Sequence, residues 1–189
     1  MIYLTSDLHF GHNKEFLYKP RGFSSIEEHD QTIIKNWNSI VEDDDIVIML
    51  GDLMLMDNEH GINCLRSLKG NKYYIRGNHD TNNRIELYNR SEEGNLRYLG
   101  FAFLLNYHKY HFYLSHYPTL TTNFDDNGSL KKRTLNLFGH THSKEEFFDE
   151  NNPGMYNVAM DAHNCCPVSI EDIITKMEKK AEECRNLKI

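Results

Sequence analysis

Short apolar runs that end in polar residues dominate the first half of the chain. Three of them predict buried strands: Met1–Thr5, Asp45–Leu50 and Lys72–Arg76. Helical segments separate these runs, because Ser25 and Glu28 form a capping box that predicts a helix to about Val41, and a shorter helix is predicted over 60–68. Strands that alternate with helices predict an α/β fold, in which ligands bind beyond the carboxyl ends of the strands.

The second half is predicted to be richer in strands. Four are expected: the hairpin partners Arg97–Asn106 and Lys109–Ser115, and then Thr134–Phe138 and Met155–Met160. Ser169 and Asp172 predict the start of a final helix that runs towards Cys184.

A polar segment without periodicity, Tyr117–Arg133, follows the hairpin. Unstructured segments of this length are uncommon in compact domains and often serve as lids or binding loops. We therefore expect it to cover part of a cleft and to contribute to substrate choice, with Lys131, Lys132 and Arg133 as candidates.

Composition and charge narrow the class of protein. With 189 residues, of which 39% are hydrophobic and 26% charged, the chain is predicted to be a soluble globular protein with a single domain over 1–189. No apolar run could span a membrane, and the N-terminus does not resemble a secretory signal. The net charge of −7 disfavours bulk nucleic-acid binding, but a small phosphorylated substrate stays a candidate partner, because bound metals can supply local positive charge. The sequence carries no signal for the oligomeric state.

The cysteines indicate a reducing compartment. The four cysteines are Cys64, Cys165, Cys166 and Cys184. Their spacing matches neither a CxxC motif nor a disulfide framework. We therefore predict a cytoplasmic protein with ordinary thiols.

Polar clusters follow five of the predicted strands. They are Asp7-x-His9, Gly51-Asp52, Gly77-Asn78-His79-Asp80, Ser115-His116 and Gly139-His140-Thr141-His142. Each cluster alone is typical of a turn. Together they gather imidazole, carboxylate and amide groups, which borderline divalent metal ions prefer as ligands. The glycines are expected to let the backbone turn sharply before the next side chain.

The order DxH, GD, GNHD, H and GHxH resembles the motif set of the calcineurin-like metallophosphoesterases, and it extends from Asp7 to His142. DLHFGH and SHYP look most like small bacterial and phage-type members. The resemblance implies a four-layer α/β/β/α sandwich of two mixed β-sheets flanked by helices. It also implies two divalent ions: one held by Asp7, His9, Asp52 and His142, and the other by Asp52, Asn78, His116 and His140.

The implied reaction is hydrolysis of a phosphate ester by a hydroxide that bridges the two ions, with Asp52 bridging them through its two oxygens. His79 would protonate the leaving oxygen, and Asp80 would hold the imidazole of His79 in orientation. Manganese is the favoured metal, with iron, zinc, cobalt or nickel as alternatives. A small phosphodiester, nucleotides included, is favoured as substrate. A phosphomonoester, a scaffold without turnover and a purely structural metal site are the alternatives.

Several further residues have two interpretations. His12 either touches substrate or stabilises the first loop, and Arg21 either meets a phosphate oxygen or is a solvated surface charge, which is the commoner case. His29 and His60 fall in predicted helices and are expected on the surface.

Overall fold

A computed structural model describes residues 1–90, 96–123 and 128–187. The strands are β1 (Ile2–Thr5), β2 (Ile46–Met49), β3 (Asn71–Ile75), β4 (Leu96–Gly100), β5 (Ala102–Tyr107), β6 (Tyr110–Ser115), β7 (Thr134–Phe138), β8 (Phe147–Asp149), β9 (Asn152–Asn157) and β10 (Val168–Ser169). The helices are α1 (Glu15–Tyr18), α2 (Ile26–Ile40), α3 (Asn58–Arg66), α4 (Asn82–Arg90) and α5 (Ile170–Asn186). None of the helices in these parts of the chain is both long and apolar enough to cross a membrane.

The strands form two five-stranded mixed sheets, ordered β10-β1-β2-β3-β4 and β5-β6-β7-β9-β8. In the first sheet, β1 to β4 run parallel and β10 is antiparallel to β1. In the second, β6, β7 and β9 run parallel, while β5 and β8 are antiparallel edge strands. The expected α/β sandwich of two mixed sheets with flanking helices is confirmed.

Alternating burial along β2 explains how the layers pack. Val47 and Met49 join a core formed with α2, α3 and α4, whereas Ile48 lies in a second core between the two sheets that also includes α5. Both faces of the first sheet are therefore buried, which accounts for the continuous apolar run in the sequence.

The expected strand Arg97–Asn106 is wrong as a single element. The chain leaves the first sheet at Gly100, whose φ is +103°, and enters the second sheet at Ala102. Only glycine adopts such a φ readily, so this residue allows one extended run to serve two sheets. The short elements α1, α4 and β8 were not predicted; α4 buries only Tyr88, so its apolar pattern is weak.

One of the two histidines expected on the surface is buried. His29 is fully buried in α2, whereas His60 on α3 is partly exposed and donates to the buried carboxylate of Asp30 at 2.8 Å. The helical pattern places both residues correctly in helices, but it does not reveal which polar side chains meet between helices.

Candidate metal centre

The parallel strands bring the predicted clusters to one mouth of the sandwich. Asp7, Asp52 and Asn78 follow β1, β2 and β3, which are neighbours in the first sheet. His116 and His140 follow β6 and β7, which are neighbours in the second. Residues that are far apart in sequence therefore meet because parallel strands present their carboxyl ends at the same edge.

Asp7, His9 and His142 form the first group of side chains. Asp7 Oδ1 lies 3.8 Å from His9 Nε2 and 3.9 Å from His142 Nε2. Both Asp7 Oδ1 and His9 Nε2 are buried and have no hydrogen-bond partner among the described residues. Buried polar atoms without partners are costly, so atoms that face each other across this distance fit a cation between them.

Asp52, His116 and Asn78 form the second group. Asp52 Oδ1 accepts a hydrogen bond from the His79 N–H at 2.8 Å, whereas Oδ2 lies 3.7 Å from His9 Nε2 and 3.5 Å from His116 Nε2. Oδ2 therefore faces both groups, while Oδ1 is held by the backbone of His79. The bridge through both oxygens of Asp52 that the resemblance implies stays a prediction.

The remaining side chain of the second group, His140, lies beside it. The ring of His140 lies 5.0 Å from the ring of His116, centroid to centroid, and the His140 N–H donates to Asp7 Oδ2 at 2.8 Å. His140 therefore connects the second sheet to the carboxylate of Asp7 through its backbone while its imidazole stays exposed at the mouth.

Hydrogen bonds fix which histidine nitrogens face the mouth. The Nδ1 of His116 lies 2.8 Å from the carbonyl oxygen of Leu50, which can only accept, so Nδ1 carries the proton and Nε2 offers a lone pair. That lone pair faces Asn78 Oδ1 at 2.8 Å, an arrangement that a shared cation would stabilise. Such partners of the second nitrogen are typical of metal-ligating histidines.

The backbone is strained at the same positions. Asp7, His9, Asp52, His140 and His142 all have positive φ values, between 49° and 69°. Non-glycine residues rarely adopt this conformation, and such strain persists mainly at functional sites. The geometry of these side chains is therefore held by the surrounding fold.

Three glycines lie beside the ligands, and only one of them provides the sharp backbone turn that was expected of all three. Gly51 has a φ of +97°, as a sharp turn requires, but Gly77 and Gly139 do not have a positive φ. A Cβ at Gly77 would lie 2.2 Å from Asp52 Oδ1, and a Cβ at Gly139 would lie 2.4 Å from Asp7 Oδ2. Gly77 and Gly139 are needed for space.

Asp161 is a residue of this site that the sequence reasoning missed. Its Oδ2 lies 3.0 Å from His142 Nδ1 and accepts a 2.6 Å bond from Arg21, whose Nε donates to Oδ1 at 3.0 Å. Asp161 follows the strand expected at Met155–Met160, so the rule that found the other clusters applies to it as well. The Arg21 side chain is only 1% exposed, so its interpretation as a solvated surface charge is wrong.

Burial and neighbouring groups shift the pKa values of the site in both directions. Burial alone would raise the pKa of Asp7, but the imidazoles of His9, His116 and His142 lower it to about 2, which favours the anion. Burial lowers the pKa of His9 to about 4, and burial together with the neighbouring Asp7 raises the pKa of Asp52. Burial also acts to lower the pKa of His142, but its hydrogen bond to Asp161 and the charges of Asp7 and Asp161 outweigh burial and raise that pKa.

His79 lies at the mouth, but Asp80 does not orient its imidazole. His79 Nε2 is 3.9 Å from Asp52 Oδ2, and its side chain is 42% exposed. The Asp80 carboxylate is fully buried and accepts from the Asp52, Leu53 and Gly77 N–H groups and from the Tyr88 hydroxyl. The expected support of His79 by Asp80 is therefore wrong: Asp80 ties the loop after β3 to the loop after β2.

His12 is buried beside these side chains, with its ring 5.3 Å from that of His9. Part of the segment 117–133 also borders the mouth, since the ring of Tyr117 lies 4.7 Å from that of His140. Residues 124–127, the tip of the expected lid, lie outside the described residues. Lys131 and Lys132 belong to a short 3-10 turn, and Arg133 is buried and bonds to Asn152.

The donor set and its geometry fit divalent metal ions. Two overlapping groups, Asp7-His9-His142 and Asp7-Asp52-His116, place their ligand atoms within 4.8 Å of one another. Sequence comparison agrees with this geometry: the profile of the calcineurin-like phosphoesterase superfamily domain matches residues 1–163. The chain belongs to this superfamily.

Proteins similar to this chain come from archaea, phages and bacteria. The protein MJ1445 of Methanocaldococcus jannaschii is 36% identical over 194 residues, which cover 98% of this chain and 96% of the relative. The Gene 66 protein of Mycobacterium phage L5 is 39% identical over 82 residues, 41% of this chain and 39% of the phage protein. The crystal structure of AQ665 from Aquifex aeolicus aligns with a TM-score of 0.69 at 20% identity, covering 93% of this chain and 98% of that protein, and so shares the fold.

Proposed function

We propose that this phosphoesterase hydrolyses a small phosphodiester with two divalent metal ions. One ion would be held by Asp7, His9, Asp52 and His142, and the other by Asp52, Asn78, His116 and His140. The observation that carries the proposal is the position of Asp52 Oδ2, which lies within 4 Å of nitrogens from both groups. When bound, two divalent ions supply Lewis acidity and a water molecule of lowered pKa.

The protein contributes a dry, pre-shaped site for these ions. Asp7, His9, Asp52 and His116 are all at most 2% exposed, so their charges and dipoles act in a medium of low dielectric constant. The outward-facing members of the set, Asn78, His140 and His142, leave the mouth open towards solvent. A phosphate group can therefore approach from that side.

We assign protonation of the leaving oxygen to His79. Its imidazole is half exposed at the mouth, close to Asp52 but not itself needed as a ligand. Its backbone is held from both sides, because the His79 N–H donates to Asp52 and its carbonyl oxygen accepts from Arg84. These bonds position the residue while the ring keeps both nitrogens available for proton transfer.

Exposed aromatic rings favour a substrate with flat groups, such as a nucleotide. Tyr117 is 49% exposed and touches His140, and Phe16 is 73% exposed and packs edge-on against His12. The two rings thus lie beside two different histidines of the site. Bases stack on such rings with about 1–3 kcal/mol each, which supports a phosphodiester with an aromatic group on either side.

A substrate and metal screen tests the proposal. Cyclic nucleotides, dinucleotides and phosphomonoesters would be offered to the wild-type protein with manganese, iron, zinc, cobalt or nickel. We expect turnover of phosphodiesters above that of monoesters, highest with manganese, and two bound ions per chain by elemental analysis. Turnover of phosphomonoesters alone would show that the protein is a monoesterase and not a diesterase. Metal binding without any turnover would favour a scaffold.

Two variants assign the roles. Asp52→Asn should lose turnover together with bound metal, whereas His79→Ala should lower turnover by about 10²–10⁴-fold with the metal content unchanged. His111→Ala, a histidine exposed on β6, is the matched control and should behave as the wild type. Unchanged turnover in His79→Ala would refute its assignment.

A further inference from the structure

A second cluster of metal-ligating side chains lies between α2 and α3. Asp30 Oδ2 is 2.8 Å from His60 Nε2, which is 3.4 Å from Cys64 Sγ, and the three ligand atoms all lie within 4.8 Å of one another. His60 and Cys64 are four residues apart on α3, so they occupy the same face of the helix. None of the three residues belongs to the ligand set described above.

The hydrogen bonds around Asp30 define its charge. Arg21 can only donate, and its Nη1 lies 2.8 Å from His29 Nε2, so His29 carries its proton on Nδ1. Nδ1 lies 2.6 Å from Asp30 Oδ1, and the Gly11 N–H donates to Oδ2 at 2.9 Å. Asp30 is thus a carboxylate that two neutral donors hold in place, as ligating carboxylates are held.

This carboxylate has no full positive charge beside it in the described parts of the chain. Asp30 is 1% exposed, and its ionic contacts there are with His29 and His60 alone, not with lysine or arginine. Buried carboxylates are normally paired or coordinate a metal. With His29 neutral, Oδ2 is held by the Gly11 N–H and by His60 Nε2, and a cation would take the place of the proton on His60 Nε2 and balance the charge of the carboxylate.

Two of the three ligand separations are close to those of a tetrahedral zinc site, and the third, between Asp30 and Cys64, is within 4.8 Å. Zinc bonds of about 2.0–2.3 Å place nitrogen and sulfur ligands about 3.6 Å apart, and nitrogen and oxygen ligands about 3.4 Å apart. The observed separation of His60 and Cys64 already matches at 3.4 Å, and that of Asp30 and His60, 2.8 Å, has to widen by about half an ångström. His60 can move that far, because its side chain is 42% exposed.

His60 also lines a cavity of about 440 Å³ together with Gly11, Asn13, Glu27 and Asp57, whereas Asp30 and Cys64 do not line it. The acidic side chains of this cavity favour the approach of a cation from the side of His60. Three protein ligands with one open position are typical of zinc sites that exchange their fourth ligand.

We propose that Asp30, His60 and Cys64 form a separate site for a single zinc ion or another divalent cation that accepts thiolate. The thiolate distinguishes it from the other centre, whose ligands are nitrogen and oxygen only, and softer ligands favour zinc over manganese. Burial, Asp30 and Asp57 raise the pKa of Cys64 to about 12, so metal binding releases the thiol proton and tightens as the pH rises.

Cobalt titration of the full chain tests this site independently of turnover. Co²⁺ bound to a thiolate gives a sulfur-to-metal charge-transfer band in the near ultraviolet, and nitrogen and oxygen ligands give none. We expect the band in the wild-type protein, with the intensity of one cobalt–thiolate bond per chain, and we expect it to be lost on addition of Zn²⁺. Cys64→Ser should abolish it.

Three further variants make each outcome decisive. His60→Ala should weaken the Co²⁺ affinity measured from this band by at least about tenfold, because even residues that only hydrogen-bond to a metal ligand contribute that much. Cys184→Ser, another buried thiol, and Asp52→Asn, in the other centre, should both retain the band. Absence of the band in the wild type, or its persistence in Cys64→Ser, would refute the proposed site. An Asp52→Asn protein that loses turnover but keeps the band would support a site separate from the other centre.

Discussion

A single methyl group added at Gly139 should weaken metal binding without unfolding the protein. The Cβ of Gly139→Ala would lie 2.4 Å from Asp7 Oδ2 and 2.1 Å from Ser6 Oγ. Carbon contacts are favourable only at about 3.5 Å or more, so the carboxylate has to withdraw by about 1 Å. It cannot do so freely, because Oδ2 is bonded to the His140 N–H and the Asp7 side chain is fully buried.

The expected magnitudes follow from this displacement. Functional sites tolerate about 0.5 Å of misplacement, and a shift of 1 Å costs about 10²-fold in rate. Overpacking of a tight interior costs about 1–3 kcal/mol in the free energy of unfolding. We therefore expect Gly139→Ala to bind Mn²⁺ at least about tenfold more weakly and to turn over substrate about 10²-fold more slowly, while it still folds cooperatively.

Gly70→Ala is the matched control, because Gly70 precedes β3 at the edge of the sheet opposite Asp7 and has a φ of +87°. Alanine is strained at this φ, and its Cβ would also lie 3.0 Å from Val41. This variant should therefore lose about 1–2 kcal/mol of the free energy of unfolding as well. Isothermal titration with Mn²⁺ and calorimetric unfolding of metal-free protein would separate the two effects. Wild-type Mn²⁺ affinity in Gly139→Ala, or an equal loss in Gly70→Ala, would refute the reasoning.

Three other perturbations test the supporting structure. Asp161→Asn removes the charge behind His142 and should weaken Mn²⁺ binding by about 10–100-fold in the same titration; an unchanged affinity would mean that this contact does not matter. Burial lowers the pKa of Lys72 to about 8, so between about pH 8 and 10 the side chain loses its proton in the native state but keeps it in the unfolded state. The wild type should therefore gain stability relative to Lys72→Met as the pH rises through this range. A stability difference that does not change with pH in urea unfolding would contradict this. Ser169 Oγ caps α5 by accepting a hydrogen bond from the Asp172 N–H. Ser169→Ala should therefore lose about 1 kcal/mol of the free energy of unfolding in urea, with its Mn²⁺ affinity unchanged. A lowered Mn²⁺ affinity would contradict the separation of α5 from the site.

The strand ends of the site were predictable because the signal is local. An apolar strand followed by Asp7, Asp52 or Asn78 can be recognised from neighbouring residues alone, and the parallel sheet then supplies the convergence. The start of α2 was predictable for the same reason, since Ser25 Oγ accepts from the Glu28 N–H as the capping pattern indicates.

The contacts behind the ligands were not predictable in this way. Asp80 was placed beside His79 because the two are adjacent in sequence, yet adjacent side chains often diverge, and its carboxylate satisfies three N–H groups and the Tyr88 hydroxyl. Arg21 and Asp161 are 140 residues apart, and no local pattern joins them. Such pairs depend on how helices and loops pack, which periodicity does not specify.

A chain of hydrogen bonds connects the two proposed metal sites through these unpredicted contacts. It runs from His142 to Asp161, Arg21, His29 and Asp30, with successive separations of 3.0, 2.6, 2.8 and 2.6 Å. Each member fixes the proton of the next, because Arg21 can only donate and the two carboxylates can only accept. A cation beside Asp30 would compete for the same carboxylate that His29 donates to, so it would weaken that hydrogen bond. The proposed ions would add positive charge beside Asp30 at one end of this chain and beside His142 at the other, with the guanidinium of Arg21 between them.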